Sequence, residues 1–105
     1  MIRHIVLFNA KKPGDKENID AIYNGLRMLE DIKGDWTLKV TKNKKVDLRA
    51  NTIDVVVYGE FPDEGTLAYY KSHPIYKECT KIVRPIRDKR IAVDIPVEDD
   101  ETTPL

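Results

Sequence analysis

The alternation of apolar and polar residues along the chain predicts four β-strands. Residues 2–9 and 52–61 are apolar at both odd and even positions, which is typical of strands covered on both faces. Residues 35–42 and 89–95 alternate apolar with polar side chains, the period of a strand with one buried face. The four segments therefore predict one sheet with unequally covered strands.

A first amphipathic helix is predicted over residues 16–33. Its apolar residues recur every three or four positions, at Ile19, Ile22, Leu26 and Leu29. Asp15 is placed to cap the start of this helix, and Gly34 to end it.

The segment "YYKSHPIY", residues 69–76, predicts a corner between two shorter helices. Asp63 caps a helix that runs through Tyr70, and Pro74 then interrupts it, because proline lacks the backbone N–H and suits the first turn of a new helix. The second helical segment extends up to Pro85. It should turn three apolar side chains inward: Cys79, Ile82 and Val83.

The element order is β-α-β-β-α-β, which predicts an α+β, ferredoxin-like fold with a four-stranded antiparallel sheet and helices on one face. We expect one domain over residues 1–95, with a charged, mobile loop over residues 43–51. The acidic segment 96–105 has nothing to bury, so we expect a disordered C-terminal tail.

Strands that are apolar on both faces leave one apolar sheet face without helices. Such a face is larger than the patches that monomers usually expose, and a second copy of the chain is the simplest cover. The sequence therefore predicts a homodimer paired through this sheet face, forming a dimeric α+β barrel.

Charge and composition narrow the class of protein. The 105 residues contain 18 basic and 18 acidic side chains, and "EDDE" at residues 98–101 leaves 18 basic against 14 acidic residues before it. This modest excess, without aromatic residues among the basic ones, argues against a nucleic-acid partner. No stretch has the length of a membrane span or of a signal h-region, so we expect a cytoplasmic protein without a membrane partner.

Four segments together resemble the stress-responsive A/B barrel (Dabb) family of dimeric α+β barrels. They are "HIVLF" near the start, "DVVVYGEF", "PDEGTLAYYKSHPIY" and the closing "VRPIRDKRIAVDI". The resemblance covers roughly residues 2–95. It implies a dimeric barrel of mixed functional associations, because many members have no assigned activity and one plant member is a cofactor-free polyketide cyclase.

The resemblance also indicates candidate site residues. In the cyclase a tyrosine and a histidine flank the "HP" pair; the tyrosine falls on Tyr70 here, the "HP" histidine on His73, and the catalytic base on Tyr76. A tyrosine hydroxyl is protonated at neutral pH and makes a poor general base, so the cyclase activity is not implied. The strand histidine that the family shares is His4.

Each candidate has a second interpretation. His73 is a candidate general acid or base, or a cap of the helix that Pro74 begins. His4 is a pocket-wall residue or a hydrogen-bonded core histidine. Tyr70, His73 and Tyr76 share a face at helical spacing, although the break at Pro74 changes their directions. Two distant histidines and a lone cysteine do not predict a metal site, and no cofactor motif is present.

These observations favour a protein that binds a small apolar or aromatic molecule in a cavity between helices and sheet. The ligand-pocket candidates are His4, Tyr70, His73 and Tyr76, with Tyr70 and His73 as catalytic candidates. Two alternatives remain open. One is a cofactor-free enzyme acting on a small carbonyl or aromatic compound by cyclase- or monooxygenase-like proton transfer, and the other is a structural stress or assembly protein.

Overall fold

The computed structural model describes residues 1–47 and 52–97, and these form a ferredoxin-like α+β fold. The strands are β1 (Ile2–Ala10), β2 (Thr37–Lys42), β3 (Val55–Phe61) and β4 (Arg87–Pro96), and the α-helices are α1 (Lys16–Leu26), α2 (Glu64–Ser72) and α3 (Pro74–Val83). All strand pairs are antiparallel, in the order β2-β3-β1-β4. The predicted β-α-β-β-α-β order is confirmed. Predictions for residues 48–51 and 98–105 lie outside the described part of the chain.

The first helix is shorter than the sequence predicted. α1 begins after the Asp15 cap, whose side chain accepts a hydrogen bond from the Glu17 N–H, but it ends at Leu26. A 3₁₀-helix follows over Arg27–Asp31. Leu26, Leu29 and Ile32 are spaced by three residues, and the three-residue turn of a 3₁₀-helix places all three in the core. The helix therefore tightens before it reaches Gly34.

The predicted corner at residues 69–76 is confirmed. α2 ends at Ser72, His73 is extended with φ −66° and ψ 142°, and α3 starts at Pro74. Cys79 and Val83 of α3 are buried against the core, as expected. The prediction for Ile82 was wrong: its side chain is 42% exposed.

The core lies between the helices and one face of the sheet, here called the inner face. Alternate residues of β1 and β3 are buried there, among them Val6, Phe8, Val57 and Phe61. None of the helices in the described residues covers the other face, here called the outer face. The strand registers place Ile5 and Leu7 of β1 and Ile91, Val93 and Ile95 of β4 on this outer face.

The edge strand β4 is exposed along nearly its whole length. Its outer side chains Ile91, Val93 and Ile95 are 48%, 45% and 38% exposed. Its inner side chains continue the β1 rows, because Phe8 pairs with Arg90 and His4 pairs with Asp94. A space remains between α3 and the inner face near β4, and residues of α3, β1 and β4 line it.

Candidate functional site

A cavity of about 380 Å³ lies between α3 and the inner face of the sheet. Aliphatic and aromatic side chains from β1, β3 and the helices form its apolar wall: Val6, Phe8, Leu26, Leu29, Val57 and Val83. The polar groups that line it are His4, the two tyrosines Tyr70 and Tyr76, Thr80 and Cys79, together with several basic side chains. Its volume lies within the range of small-molecule pockets.

Tyr70 and Tyr76 line this cavity together. Pro74 turns α3 away from α2, yet the two rings remain in edge-to-face contact with centroids 5.2 Å apart. Tyr70 is buried, 1% exposed, and its ring also contacts Phe61 at 5.0 Å and Trp36 at 5.7 Å. The sequence-based grouping of Tyr70 with Tyr76 corresponds to a contact in the structure.

His73 lies outside the set of residues that line this cavity. Its Nδ1 accepts a hydrogen bond from the Ile75 N–H at 3.1 Å and so caps α3. Its ring contacts Tyr69, at a centroid distance of 6.3 Å, on the more exposed side of the corner. The capping role that the sequence offered as an alternative is the one that the geometry shows. A catalytic or pocket role for His73 stays a prediction.

His4 lines the cavity and pairs with a carboxylate. Its ring is 1% exposed, and Nδ1 lies 2.5 Å from Oδ1 of Asp94, directly across the β1–β4 pairing. Because a carboxylate accepts hydrogen bonds, Nδ1 carries the ring proton in the neutral imidazole, and Nε2 keeps its lone pair. Burial lowers the pKa of His4 and outweighs the opposing effect of Asp94. The imidazole is therefore neutral and fixed in one tautomer.

The hydroxyl of Tyr70 is a hydrogen-bond donor and not a base. Burial raises the pKa of Tyr70 well above its usual range, so the phenol stays protonated. The Tyr70 hydroxyl makes no hydrogen bond to another group within residues 1–47 and 52–97. Tyr76, by contrast, is 3.5 Å from Nη2 of Arg90 through its hydroxyl.

Four basic side chains line the open side of the cavity: Lys71, Arg84, Arg87 and Arg90. They come from the last turn of α2, the C-cap of α3 and the strand β4. The sequence showed the basic segment 81–90 but did not indicate that its arginines converge on a cavity. Asp94 was missed as well, since its contact with His4 depends on the register of two strands that are 90 residues apart.

Other chemistry is limited in the described residues. The thiol of Cys79 is buried, which raises its pKa to about 11, and it lies 3.4 Å from the carbonyl oxygen of Gly25. Across residues 1–47 and 52–97, no three His, Cys, Asp or Glu side chains lie close enough to hold a metal ion together. None of the described helices has the length and apolar character needed to cross a membrane.

The fold and the cavity define a class: a ferredoxin-like α+β domain with a pocket between its helices and its sheet. A family model, the stress responsive A/B barrel domain (Dabb), matches residues 2–97. The chain therefore belongs to the Dabb family, as its sequence motifs indicated. Comparison with curated proteins gives no significant match.

Solved structures support the same fold. A dimeric ferredoxin-like protein of unknown function from Thermobifida fusca has a TM-score of 0.76 at 21% identity, covering 91% of this chain and 90% of that one. A Dabb family protein from Mesorhizobium loti has a TM-score of 0.71 at 20% identity, covering 92% and 97%. The hydroxynitrile lyase from Passiflora edulis has a TM-score of 0.70 at 22% identity, covering 98% and 96%. At these identities the likeness shows the fold alone.

Proposed function

We propose that the protein is a cytoplasmic homodimer that binds a small, largely apolar or aromatic molecule in the cavity between α3 and the inner face of the sheet. The observation that carries the proposal is the composition of the cavity wall. Aliphatic and aromatic side chains form about half of it, and the Tyr70 hydroxyl and the His4 imidazole lie beside them as polar groups. This combination suits recognition of a small organic ligand. The buried thiol of Cys79 is compatible with a reducing compartment.

The binding proposal is testable with an uncharged aromatic probe, N-phenyl-1-naphthylamine, whose fluorescence rises in apolar surroundings. We expect saturable binding to the wild-type chain. Thr80→Phe should abolish it, because Thr80 lines the cavity and a phenyl ring there occupies the space of the probe. The matched control is Lys77→Phe, which adds the same ring to an exposed position of α3.

The control separates filling of the cavity from a general effect of an added aromatic ring. Equal binding by wild type and Thr80→Phe would overturn the cavity as the binding site. No binding by the wild-type chain would remove the binding proposal and leave the alternative of a structural or assembly protein.

The homodimer is proposed from the outer face. Ile91, Val93 and Ile95 of β4 lie beside Ile5 and Leu7 of β1, and β4 is more than one-third exposed at all three isoleucine and valine positions. A contiguous apolar face of this kind is typical of a protein interface. Similar structures, such as the Thermobifida fusca protein, are described as dimeric. A two-fold axis would place two copies of this face against each other.

A second candidate function is cofactor-free acid–base catalysis, and the contact between His4 and Asp94 favours it. Asp94 orients the imidazole and holds the proton on Nδ1, so Nε2 is the basic atom. Burial keeps the ring neutral, and the protonated Tyr70 hydroxyl can donate a hydrogen bond to a developing negative charge. The likeness to a hydroxynitrile lyase fold is compatible with such chemistry.

A general probe of a buried base tests this second candidate. In 5-nitrobenzisoxazole a base removes the ring C–H proton, the N–O bond breaks, and a coloured phenolate with a nitrile group forms. We expect the wild-type chain to accelerate this reaction. His4→Gln should lower the rate about a hundredfold, the usual scale of general-base catalysis.

His73→Gln is the matched control, because His73 caps α3 outside the cavity lining. A rate that His4→Gln leaves unchanged would exclude His4 as the base. A rate that falls only in His73→Gln would instead support the catalytic role that the sequence suggested for His73.

A further inference from the structure

The open side of the cavity carries a concentration of positive charge. Lys71, Arg84, Arg87 and Arg90 line it, whereas no aspartate or glutamate is among the lining residues. The whole chain has equal numbers of basic and acidic residues. With equal overall numbers, a surface region of this size would on average contain both signs of charge. The cavity opening instead has four basic side chains and no acidic one.

These four cations are not used in ion pairs within residues 1–47 and 52–97. A few basic residues elsewhere do have carboxylate partners, for example Arg27 with Glu30 and Lys45 with Asp54. At the cavity, Arg87 donates to the Asp88 carbonyl oxygen at 3.0 Å, and Arg90 only approaches the Tyr76 hydroxyl. The guanidinium groups thus keep donors for another acceptor, each with the planar geometry that matches an acidic oxygen pair.

One carboxylate lies next to the cavity, that of Asp94. It is the hydrogen-bond partner of His4 and is absent from the lining. Lys71 and Arg90 each lower the pKa of His4, whereas Asp94, whose effect is larger than either, raises it. The positive charge is therefore concentrated at the rim of the cavity, where the four basic side chains lie.

Behind the cations, the cavity offers an apolar interior and one unused donor. The Tyr70 hydroxyl belongs to a side chain that is 1% exposed, and it has no hydrogen-bond partner among the described residues. Because Tyr70 lines the cavity, this hydroxyl is available to donate to a ligand or water there. The donor points to a ligand that carries an acceptor on its body.

We propose that the cavity takes an amphipathic organic acid, with an aromatic or aliphatic body inside and an anionic oxygen group at the opening between Arg84 and Arg90. This inference rests on the proposed binding function and specifies its ligand class. Arginine binds carboxylate, sulfonate and phosphate oxygens through charge-assisted, often bidentate hydrogen bonds. The apolar wall supplies affinity for the body of the same molecule.

Two probes that share one ring system test the ligand class. N-phenyl-1-naphthylamine is uncharged, and 1-anilinonaphthalene-8-sulfonate adds one acidic group to the same skeleton. Both are titrated against the full chain by fluorescence. We expect the sulfonate to bind more tightly than the uncharged probe, and its Kd alone to rise with added sodium chloride.

The double variant Arg84→Gln/Arg90→Gln removes two cations from exposed positions of the opening. Its Kd for the sulfonate should rise about tenfold, the effect of two partly screened ion pairs, while its Kd for the uncharged probe changes little. Lys77→Gln/Lys81→Gln is the control. It removes the same charge from exposed positions of α3 that do not line the cavity.

The two probes also separate failure of this inference from failure of the proposed function. If the uncharged probe binds and the sulfonate binds no more tightly, the acid-binding inference is wrong and the cavity remains a binding site. Equal losses of sulfonate affinity in both double variants would overturn the inference too, since net charge would then explain the effect. If neither probe binds, both proposals fail. Melting temperatures measured in parallel show that each variant is folded.

Discussion

The outer face of the sheet gives the clearest test of assembly, through the substitution Val93→Glu. Val93 lies in the middle of the apolar row of β4, paired with Ile5 of β1, and is 45% exposed in the single chain. If a second copy covers this row, the glutamate carboxylate has to leave water at the centre of the interface. The substitution should therefore dissociate the dimer and leave the fold of each chain intact.

The magnitude follows from the exposed part of the side chain. Complete burial of a valine contributes about 1.5–3 kcal/mol, so covering the exposed half of Val93 contributes roughly 1 kcal/mol per chain. A two-fold axis doubles this loss, and desolvation of two carboxylates adds at least about 2 kcal/mol. These losses come to at least about 4 kcal/mol, so the dimer Kd should rise by about a thousandfold or more.

Light scattering coupled to size exclusion, at micromolar concentration, measures the outcome. The wild type should show twice the mass of the 12.1 kDa chain, and Val93→Glu the mass of one chain. Val46→Glu is the matched control, because Val46 is 84% exposed and lies in the loop after β2. A monomeric wild type, or a Val93→Glu variant that stays dimeric, would refute the outer face as the interface.

Two further predictions concern the histidines. Burial lowers the pKa of His4, so near and below pH 6.5 this histidine is protonated in the unfolded chain but stays neutral in the folded chain. The free energy of unfolding should therefore fall as the pH drops from about 7.5 to 5.5, by at most about 1.4 kcal/mol per pH unit. Urea titrations should show a shallower dependence in His4→Gln, and an equal slope would contradict this origin. His73→Ala should cost about 1 kcal/mol through the lost cap of α3, whereas Lys77→Ala on the same helix should not. Binding of N-phenyl-1-naphthylamine should be unchanged in His73→Ala, and a large loss of affinity would return His73 to the pocket.

The sequence was sufficient to predict the order of the elements, because hydrophobic periodicity and the residues that cap or break helices are local properties. Alternation of apolar and polar residues predicted the strands. Pro74 predicted the break between α2 and α3, because proline cannot donate a backbone hydrogen bond in any tertiary context. The end of α1 was harder to predict from the sequence. The change to a 3₁₀-helix at Arg27 follows from how Leu29 and Ile32 fit the core, and that fit depends on tertiary packing.

The candidate site was predicted only in part, and the reason is its long-range construction. Tyr70 and Tyr76 are near neighbours in sequence, so helical spacing suggested their contact. His4 and Asp94 meet because β1 and β4 pair in one particular register, which neither strand specifies alone. Arg84 and Arg90 flank the end of α3 and the start of β4, and only the folded chain directs both to one cavity.

The direct test of the central claim is a map of the probe on the chain. Two-dimensional NMR of backbone amides, recorded while N-phenyl-1-naphthylamine is added, reports which residues the probe approaches. The largest shifts should occur at Tyr70, Tyr76 and Thr80, which line the cavity. Shifts confined to Ile91 and Val93 on the outer face, with the cavity amides unchanged, would contradict it.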